Sequence, residues 1–177
     1  DLLDDTELEA VIAHEVAHIV NQDGRVTLTT FALVGSIAAV AAGLLALGWA
    51  MLQATPSGLR NGIGLLIGML GLGLLILGGI FWLVATVLGP VISAAVSRRR
   101  EFLADASGVE LTRFPDGLVR ALEKLAAHPA GPSTATGEVR ALFIHDGAGA
   151  SWLERLLGTH PPVAERVERL RAMGRSF

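Results

Sequence analysis

The sequence contains no cysteine, and one long part of it contains almost no charge. Without cysteine there are no disulfides and no thiolate ligands, so any metal must be held by histidine, aspartate or glutamate. From Val26 to Ser97, Arg60 is the only charged residue among 72. The other 105 residues hold 30 of the 31 charges. This split excludes an ordinary soluble fold, a disordered tail and a coiled coil.

The charged segments on either side of this block differ in sign. Residues 1–25 carry a net charge of −6 and residues 98–177 carry +2. Neither has the dense positive charge of a nucleic-acid-binding surface, so no nucleic-acid partner is predicted. The chain has no initiator Met, and its start is acidic where a signal peptide would be basic. We therefore expect further sequence upstream.

The uncharged block predicts a transmembrane hairpin, with the lipid bilayer as its partner. Residues 28–52 would form a helix about 38 Å long, enough to cross a hydrocarbon core of about 30 Å with some tilt. Residues 53–61 contain Pro56 and Gly58 and predict a turn. A second span is predicted at about 63–88, followed by a kink at Gly89-Pro90.

Two further patterns in the block bear on packing and orientation. Small residues recur four apart at Gly35, Ala39 and Gly43, and again at Gly64 and Gly68. This spacing favours close approach of two membrane helices, although Gly and Ala are also simply common in such helices. Four arginines, at 25 and 98–100, flank one side of the hairpin, and one flanks the other. The excess places both polar segments in the cytoplasm.

The polar segments are predicted to be mainly helical. The first helix is expected at about 7–22, with Thr6 and Glu9 as its capping box. Further helices are expected at about 98–112, 115–127, 151–157 and 162–172. The stretch from 128 to 149 is predicted to be a long loop that contains a possible short strand at 141–144.

Residues 14–18 read His-Glu-Val-Ala-His within the predicted first helix. Residues four apart lie on one helical face, so His14 and His18 can direct two imidazoles at one Zn²⁺. Glu15 lies one position round the helix, where it can take a proton from an attacking water and deliver it to a leaving amine. The alternative is a chance match, against which the predicted helix and the presence of only five histidines both argue.

A catalytic zinc needs a third protein ligand, and residues 101–105 offer one. Glu101 and Asp105 are again four apart on a predicted helix. Glu101 could bind the metal, and Asp105 could accept the ring N–H of a zinc-bound histidine, with His14 favoured. The alternative for Glu101 is a surface ion pair with a neighbouring arginine. The hairpin supports the ligand interpretation, because an out-and-back crossing returns Glu101 to the side of His18.

Four features together resemble the HtpX-like membrane zinc peptidases, relatives of the type I CAAX prenyl proteases. They are the 14–18 motif, the two-helix insertion, Arg-Arg-Glu-Phe-Leu-Ala-Asp at 99–105, and Thr-His-Pro-Pro-Val-Ala-Glu-Arg at 159–166. They occur in the family order and cover essentially the whole chain. The resemblance implies a mainly α membrane protein in which a gluzincin-type zinc peptidase domain is split around a transmembrane hairpin.

The resemblance also implies roles for single residues. His14, His18 and Glu101 would bind one Zn²⁺ per chain, Glu15 would be the catalytic base, and Asp105 would support a ligand. His160 and Arg166 match positions thought to bind substrate or the developing oxyanion. The alternative for these two is a turn into the last helix, with Arg166 paired to Glu165 or Glu168. Asp23 fits the family pattern of an acid after the histidine helix, and a helix-terminal turn explains it equally well. His128 and His145 match no ligand position and are expected in loops.

The resemblance implies three parts of the chain: an active-site helix at 1–25, the hairpin at 26–97, and the cytoplasmic remainder of the peptidase at 98–177. The expected enzyme is a metalloendopeptidase of the bacterial inner membrane, multi-pass, with its active site facing the cytoplasm. Unfolded or membrane-protein substrates and a role in membrane-protein quality control are expected. Missing N-terminal membrane helices and a missing edge strand for substrate are also expected.

The sequence is also compared with the patterns of three other functions that its motifs bring into question: two fit it in part and one fits poorly. A CAAX-type prenyl-protein peptidase shares the same zinc motifs. A catalytically silent membrane scaffold or chaperone would retain the helices but would not depend on Glu15. A site-2-type intramembrane protease fits poorly, because its metal motif lies inside a membrane helix and uses a Leu-Asp-Gly sequence. Here the histidine helix begins with acidic residues, and the sequence contains no Leu-Asp-Gly.

Overall fold

The computed structural model describes residues 2–54, 62–128 and 157–175. Within these ranges the chain is helical and contains no strand. The helices are α1 (Asp5–Val20), α2 (Asp23–Gln53), α3 (Gly62–Leu83), a π-helical segment (Val84–Leu88), α4 (Gly89–Thr112), α5 (Pro115–Ala127) and α6 (Val163–Gly174). Most of the predicted turn at 53–61, the possible strand at 141–144, most of the predicted 151–157 helix and His145 lie outside the described residues; Gln53 ends α2.

Helix α1 begins two residues earlier than predicted and uses a different capping box. The carboxylate of Asp4 accepts the backbone N–H of Glu7 at 2.9 Å, and the Glu7 carboxylate accepts that of Asp4 at 2.9 Å. The prediction of Thr6 and Glu9 was therefore wrong: Thr6 donates its hydroxyl to Asp4 instead. Asp and Thr both suit an N-cap, so the local sequence allowed two starting points.

The chain divides into two compact units, one of residues 1–27 and 94–177 and one of residues 28–93. In the first, α1 packs on α5 and α5 packs on α6. Its core is formed by Ala10, Val109, Leu118, Val119, Leu122, Val167 and Leu170. Buried Glu7 joins α1 to α5 through Lys124, whose ammonium lies 2.7 Å away, and the hydrogen bond from Lys124 is the main reason that the pKa of Glu7 is lowered.

Helix α4 lies close against the backbone of α1 at Gly108. A Cβ atom at this position would lie 3.2 Å from both the backbone N and the Cα of His14. That is tighter than ordinary van der Waals contact, and the backbone of α1 cannot move aside as a flexible side chain can. Gly108 therefore lets α4 lie directly against the turn of α1 that carries the histidines.

Within the described part of the chain, two helices are long and apolar enough to cross a membrane, judged by length and composition. One is α2, and the other is the continuous helical stretch Gly62–Thr112, of which the uncharged first part matches the predicted second span. Within the second unit, α2 and α3 are antiparallel, since Gly48 meets Gly71 and Leu45 meets Gly78. Large apolar side chains point outward from the pair, including Phe31, Leu47, Trp49, Leu66 and Met69. Such an exterior suits lipid tails.

The seam between α2 and α3 follows a seven-residue spacing. Gly64, Gly71 and Gly78 are buried on α3, and Ala85 continues the series in the π-helical segment. The prediction of a seam through Gly35 and Gly43 was wrong, because a Cβ at either position would meet nothing within 4 Å. A seven-residue repeat keeps one stripe facing a partner when helices cross at a shallow angle.

Gly48→Ala is expected to destabilise the helix pair, whereas Gly43→Ala is expected to leave it unchanged or stabilise it. A Cβ at Gly48 would lie 2.7 Å from the carbonyl oxygen of Gly71. Both changes bring the same gain in helix propensity, about 1 kcal/mol in water, so the difference isolates the contact. Thermal unfolding in detergent measures it. Equal melting temperatures for the two variants would contradict the seam.

The predicted kink at Gly89-Pro90 is replaced by the π-helical segment that precedes it, and the helix continues through both residues. Proline has no N–H to donate, and its ring clashes with the carbonyl of the residue four before it. That residue is Thr86, in the middle of the segment. The wider turn therefore accommodates Pro90 without ending the helix. The predicted helix at 115–127 is confirmed, and the last helix is Val163–Gly174 rather than 162–172.

Candidate metal centre

Three predicted ligands from two helices converge in the first unit. The Nε2 atoms of His14 and His18, one turn apart on α1, lie 3.2 Å from each other. The carboxylate oxygens of Glu101, on α4, lie 3.8 Å from each of these nitrogens. Zinc ligands bonded at about 2.0–2.2 Å in a tetrahedron stand roughly 3.3–3.6 Å apart. The spacing and the donor set, two imidazoles and a carboxylate, therefore fit a zinc ion.

Each imidazole turns its other nitrogen toward a carboxylate. His14 Nδ1 lies 3.0 Å from Asp105 Oδ1, which is hydrogen-bond length, although the ring N–H is poorly aligned with the oxygen. His18 Nδ1 lies 2.5 Å from Asp23 Oδ2. A carboxylate on this side holds the proton on Nδ1 and leaves the Nε2 lone pair for a metal. Both rings are thus oriented for coordination through Nε2.

Arg166 lies buried behind the ligands. Its Nε and Nη2 donate to the two carboxylate oxygens of Asp105 at 2.9 and 2.6 Å. Its Nη1 is 3.4 Å from Glu101. Glu165 pairs with Arg169, whereas Arg166 contacts Asp105 and Glu101 in the site. A guanidinium that is 4% exposed and bidentate on Asp105 favours positioning of the carboxylates over contact with substrate.

The two buried carboxylates on α4 are held in their ionised form. Burial on its own would raise the pKa of Glu101, but the hydrogen bond from His160 and the charge of Arg166 outweigh it, and the pKa is lowered. Burial likewise opposes ionisation of Asp105, whose pKa is lowered by its contacts with His14 and Arg166. In turn, Asp105 raises the pKa of Arg166 against the effect of burial. A metal ligand must be deprotonated, so this arrangement suits Glu101 for binding.

An open cleft of about 730 Å³ gives access to the three ligands. Glu15 is exposed on its wall, one residue beyond His14. His160 is partly exposed on the same cleft, with Nδ1 3.3 Å from Glu101 Oε1. The structure therefore brings every predicted site residue to one place. Arg166 and Asp105 are buried behind the ligands, and Glu15 and His160 face the opening.

Asp23 and Arg100 lie at the site, although the sequence assigned neither of them a role there. Asp23 follows the end of α1, and the intervening Gln22 has a left-handed φ of 55° that ends the helix and reverses the chain. This turn brings the carboxylate back to His18. The available signal in the sequence was an acidic residue five positions after the second histidine. The turn at Gln22 that brings this residue back to His18 could not be predicted from the sequence pattern. His128 lies at the end of α5, where its Nδ1 is 3.1 Å from the carbonyl of Lys124.

Comparisons with known proteins agree with this geometry. The sequence model of the family described as "Peptidase family M48" matches residues 1–174. A protein named "Protease HtpX homolog" from Streptococcus gordonii is 41% identical, over 97% of this chain and 56% of its own length. Proteins of the same name from Streptococcus pneumoniae and Streptococcus uberis are each 39% identical, over 94% of this chain and 55% and 54% of their own lengths.

The chain thus spans about half the length of the curated relatives it matches. No solved structure matches it. The family match covers both histidines, Glu101 and the last helix, which are the parts that the fold brings together. The chain belongs to peptidase family M48.

Proposed function

We propose that the chain carries the catalytic centre of a membrane zinc metalloendopeptidase. His14, His18 and Glu101 would hold one Zn²⁺ per chain. The observation that carries the proposal is the convergence of these three groups, all of whose ligand atoms lie within 4.8 Å of one another, beside an exposed Glu15. Membership of a metallopeptidase family implies a metal, and the two imidazoles and one carboxylate favour zinc.

The residues at the cleft would have different roles in peptide hydrolysis. Bound Zn²⁺ would supply Lewis acidity, which polarises a carbonyl group and makes water more acidic. Glu15 faces the cleft, where its carboxylate accepts a proton from the attacking water and delivers it to the leaving amine. His160, on the same cleft, has a ring N–H that can donate to negative charge developing on the carbonyl oxygen. Arg166 keeps Glu101 and Asp105 in place.

The membrane role rests on α2 and on the uncharged part of the stretch that begins at Gly62. We assign the peptidase function to residues 1–25 and 98–177 and the membrane hairpin to residues 26–97. The arginines at 25 and 98–100 favour a multi-pass protein in the bacterial inner membrane, with the cleft on the cytoplasmic side. Unfolded and membrane proteins are the proposed substrates, in quality control of the membrane.

The direct test combines metal analysis with proteolysis. The chain, with any native sequence that adjoins it, is purified in detergent, and we expect one zinc per chain and cleavage of an unfolded protein such as casein. A chelator should abolish cleavage, and added Zn²⁺ should restore it. A preparation that is folded but binds no zinc and cuts no substrate would exclude the enzyme. Cleavage confined to prenylated peptides would favour the CAAX-type alternative.

A further inference from the structure

We propose that Asp23 and Arg100 form a second positioning pair at the metal centre, dedicated to His18. The inference rests on the proposed zinc site and extends it. Asp23 would hold the proton on His18 Nδ1, and Arg100 would hold the Asp23 carboxylate in place. Neither residue would touch the substrate or the metal, so both would act through His18.

The contacts around Asp23 converge from three helices. Its carboxylate, 4% exposed, lies 2.5 Å from His18 Nδ1 at the end of α1. Nε of Arg100, on α4, lies 3.3 Å from the same oxygen, Oδ2, an ion-pair distance at which the N–H is not aligned for a hydrogen bond. Thr27 donates its hydroxyl to the backbone carbonyl of Asp23 at 2.9 Å and accepts a hydrogen bond from Arg100. Thr27 and Asp23 are both in α2, so Arg100 is held at two points of that helix.

The arrangement repeats the one behind the first histidine. His14 faces Asp105, and Asp105 faces Arg166. In the same way, His18 faces Asp23, and Asp23 faces Arg100. The two series of contacts differ in exposure. The Arg166 side chain is 4% exposed, whereas that of Arg100 is 22% exposed and lies on the cleft. Each predicted histidine ligand thus has its own carboxylate and its own guanidinium.

The second pair also connects ligands that come from different helices. Arg100 directly precedes Glu101, so the residue that holds Asp23 is next in sequence to the third ligand. A carboxylate on Nδ1 fixes the ring orientation and makes Nε2 a stronger donor to a metal. A shift of α4 relative to α1 would disturb both Glu101 and the support of His18. The metal would therefore be sensitive to Asp23 without any bond to it.

A helix-terminal role alone does not explain this placement. An acid in the first turn of a helix stabilises it without needing a specific partner, and Asp116 in the first turn of α5 is exposed in this way. Asp23 is likewise in the first turn of its helix, α2, yet its carboxylate is buried against an imidazole. Asp116 is therefore the matched control.

The test compares Asp23→Ala and Asp23→Asn with wild type and with Asp116→Asn. Zinc affinity is measured by competition with a chromophoric chelator, and the site is probed by the visible absorption spectrum of the Co²⁺-loaded protein. Loss of a carboxylate behind a histidine ligand typically weakens metal binding roughly 10- to 100-fold. We expect a loss in that range for Asp23→Ala, with an altered Co²⁺ spectrum. Asp23→Asn should lose less, because its amide oxygen still accepts the ring N–H, and Asp116→Asn should match wild type.

Arg100 is tested by Arg100→Gln and Arg100→Lys. Arg100→Gln should weaken zinc binding by a smaller factor than Asp23→Ala, and Arg100→Lys should recover part of the loss, because lysine keeps the charge without the planar guanidinium. Far-ultraviolet circular dichroism of the metal-free proteins checks that each variant is folded. If Asp23→Ala does not fold, the nearly isosteric Asp23→Asn decides.

Two failures can be told apart. If wild type binds no zinc, the proposed function fails. If wild type binds zinc and the folded Asp23 variants show the same affinity and the same Co²⁺ spectrum, the positioning pair is wrong and the zinc site stands. A fall in melting temperature of the metal-free Asp23 variants with unchanged zinc affinity would likewise overturn the pair and leave Asp23 a purely structural role.

Discussion

Glu15→Gln is expected to reduce the kcat for peptide cleavage by roughly 10²- to 10⁴-fold, the usual contribution of a general base, while zinc content stays at the wild-type level. Glu15 is exposed on the cleft, and His14, His18 and Glu101 are the described groups that converge on a metal position. Glutamine keeps the shape of the side chain but cannot accept the proton of the attacking water. The measurement pairs the rate of casein cleavage with zinc analysis of the same sample.

Glu9→Gln is the matched control for this change. Glu9 is also an exposed glutamate on α1, but it does not line the cleft. Its replacement should leave both the rate of casein cleavage and the zinc content unchanged. Full cleavage by Glu15→Gln would remove the catalytic base. An absence of cleavage by both wild type and Glu15→Gln would instead favour the silent scaffold.

Glu101→Ala is expected to lose zinc and, as a consequence, activity. The carboxylate is 3.8 Å from Nε2 of both histidines and is the proposed third ligand. Loss of a group bound directly to the metal should cost more affinity than the roughly 10- to 100-fold lost when an outer partner is removed. Arg166 keeps its bidentate contact with Asp105 in this variant, so the buried guanidinium does not lose all its partners. Zinc stoichiometry after dialysis against a weak chelator measures the effect.

The control for this variant lies on the same helix. Glu110 is exposed on α4, about two and a half turns beyond Glu101, and Glu110→Ala should retain the zinc content of wild type. Circular dichroism of both proteins separates loss of metal from loss of fold. Wild-type zinc content in a folded Glu101→Ala protein would show that Glu101 is not a ligand, and a different third ligand would then have to be sought along the cleft.

The local parts of this site were predictable because they depend on spacing within one helix. His14 and His18 share a face of α1 because a helix returns after 3.6 residues, whatever surrounds it. Glu101 and Asp105 share a face of α4 for the same reason. The uncharged spans were equally readable, since length and lack of charge do not depend on neighbours. The convergence of the two helices followed from the hairpin that joins them.

The start of α1 and the contacts between α2 and α3 were less predictable. The capping box is formed by Asp4 and Glu7. The sequence did not decide this, because Asp4 and Thr6 are both chemically suitable as the N-cap. The α2–α3 seam follows Gly48, Gly71 and Gly78, since the angle at which the helices cross decides which small residues meet. In both cases the predicted and the observed residues agree equally well with local helix preferences.

The sequence by itself determined a chain with two membrane-length helices, an ordered pair of metal-binding helical motifs, and the chemistry of the groups that face the metal position. The tertiary structure decided what stands behind those groups. Arg166 reaches Asp105 across 61 positions of sequence, and Arg100 reaches Asp23 across 77. Such contacts depend on how helices pack and where turns reverse the chain, and Gln22 makes one of these turns. The periodicity of a helix in the sequence does not indicate how that helix packs or where a turn reverses the chain.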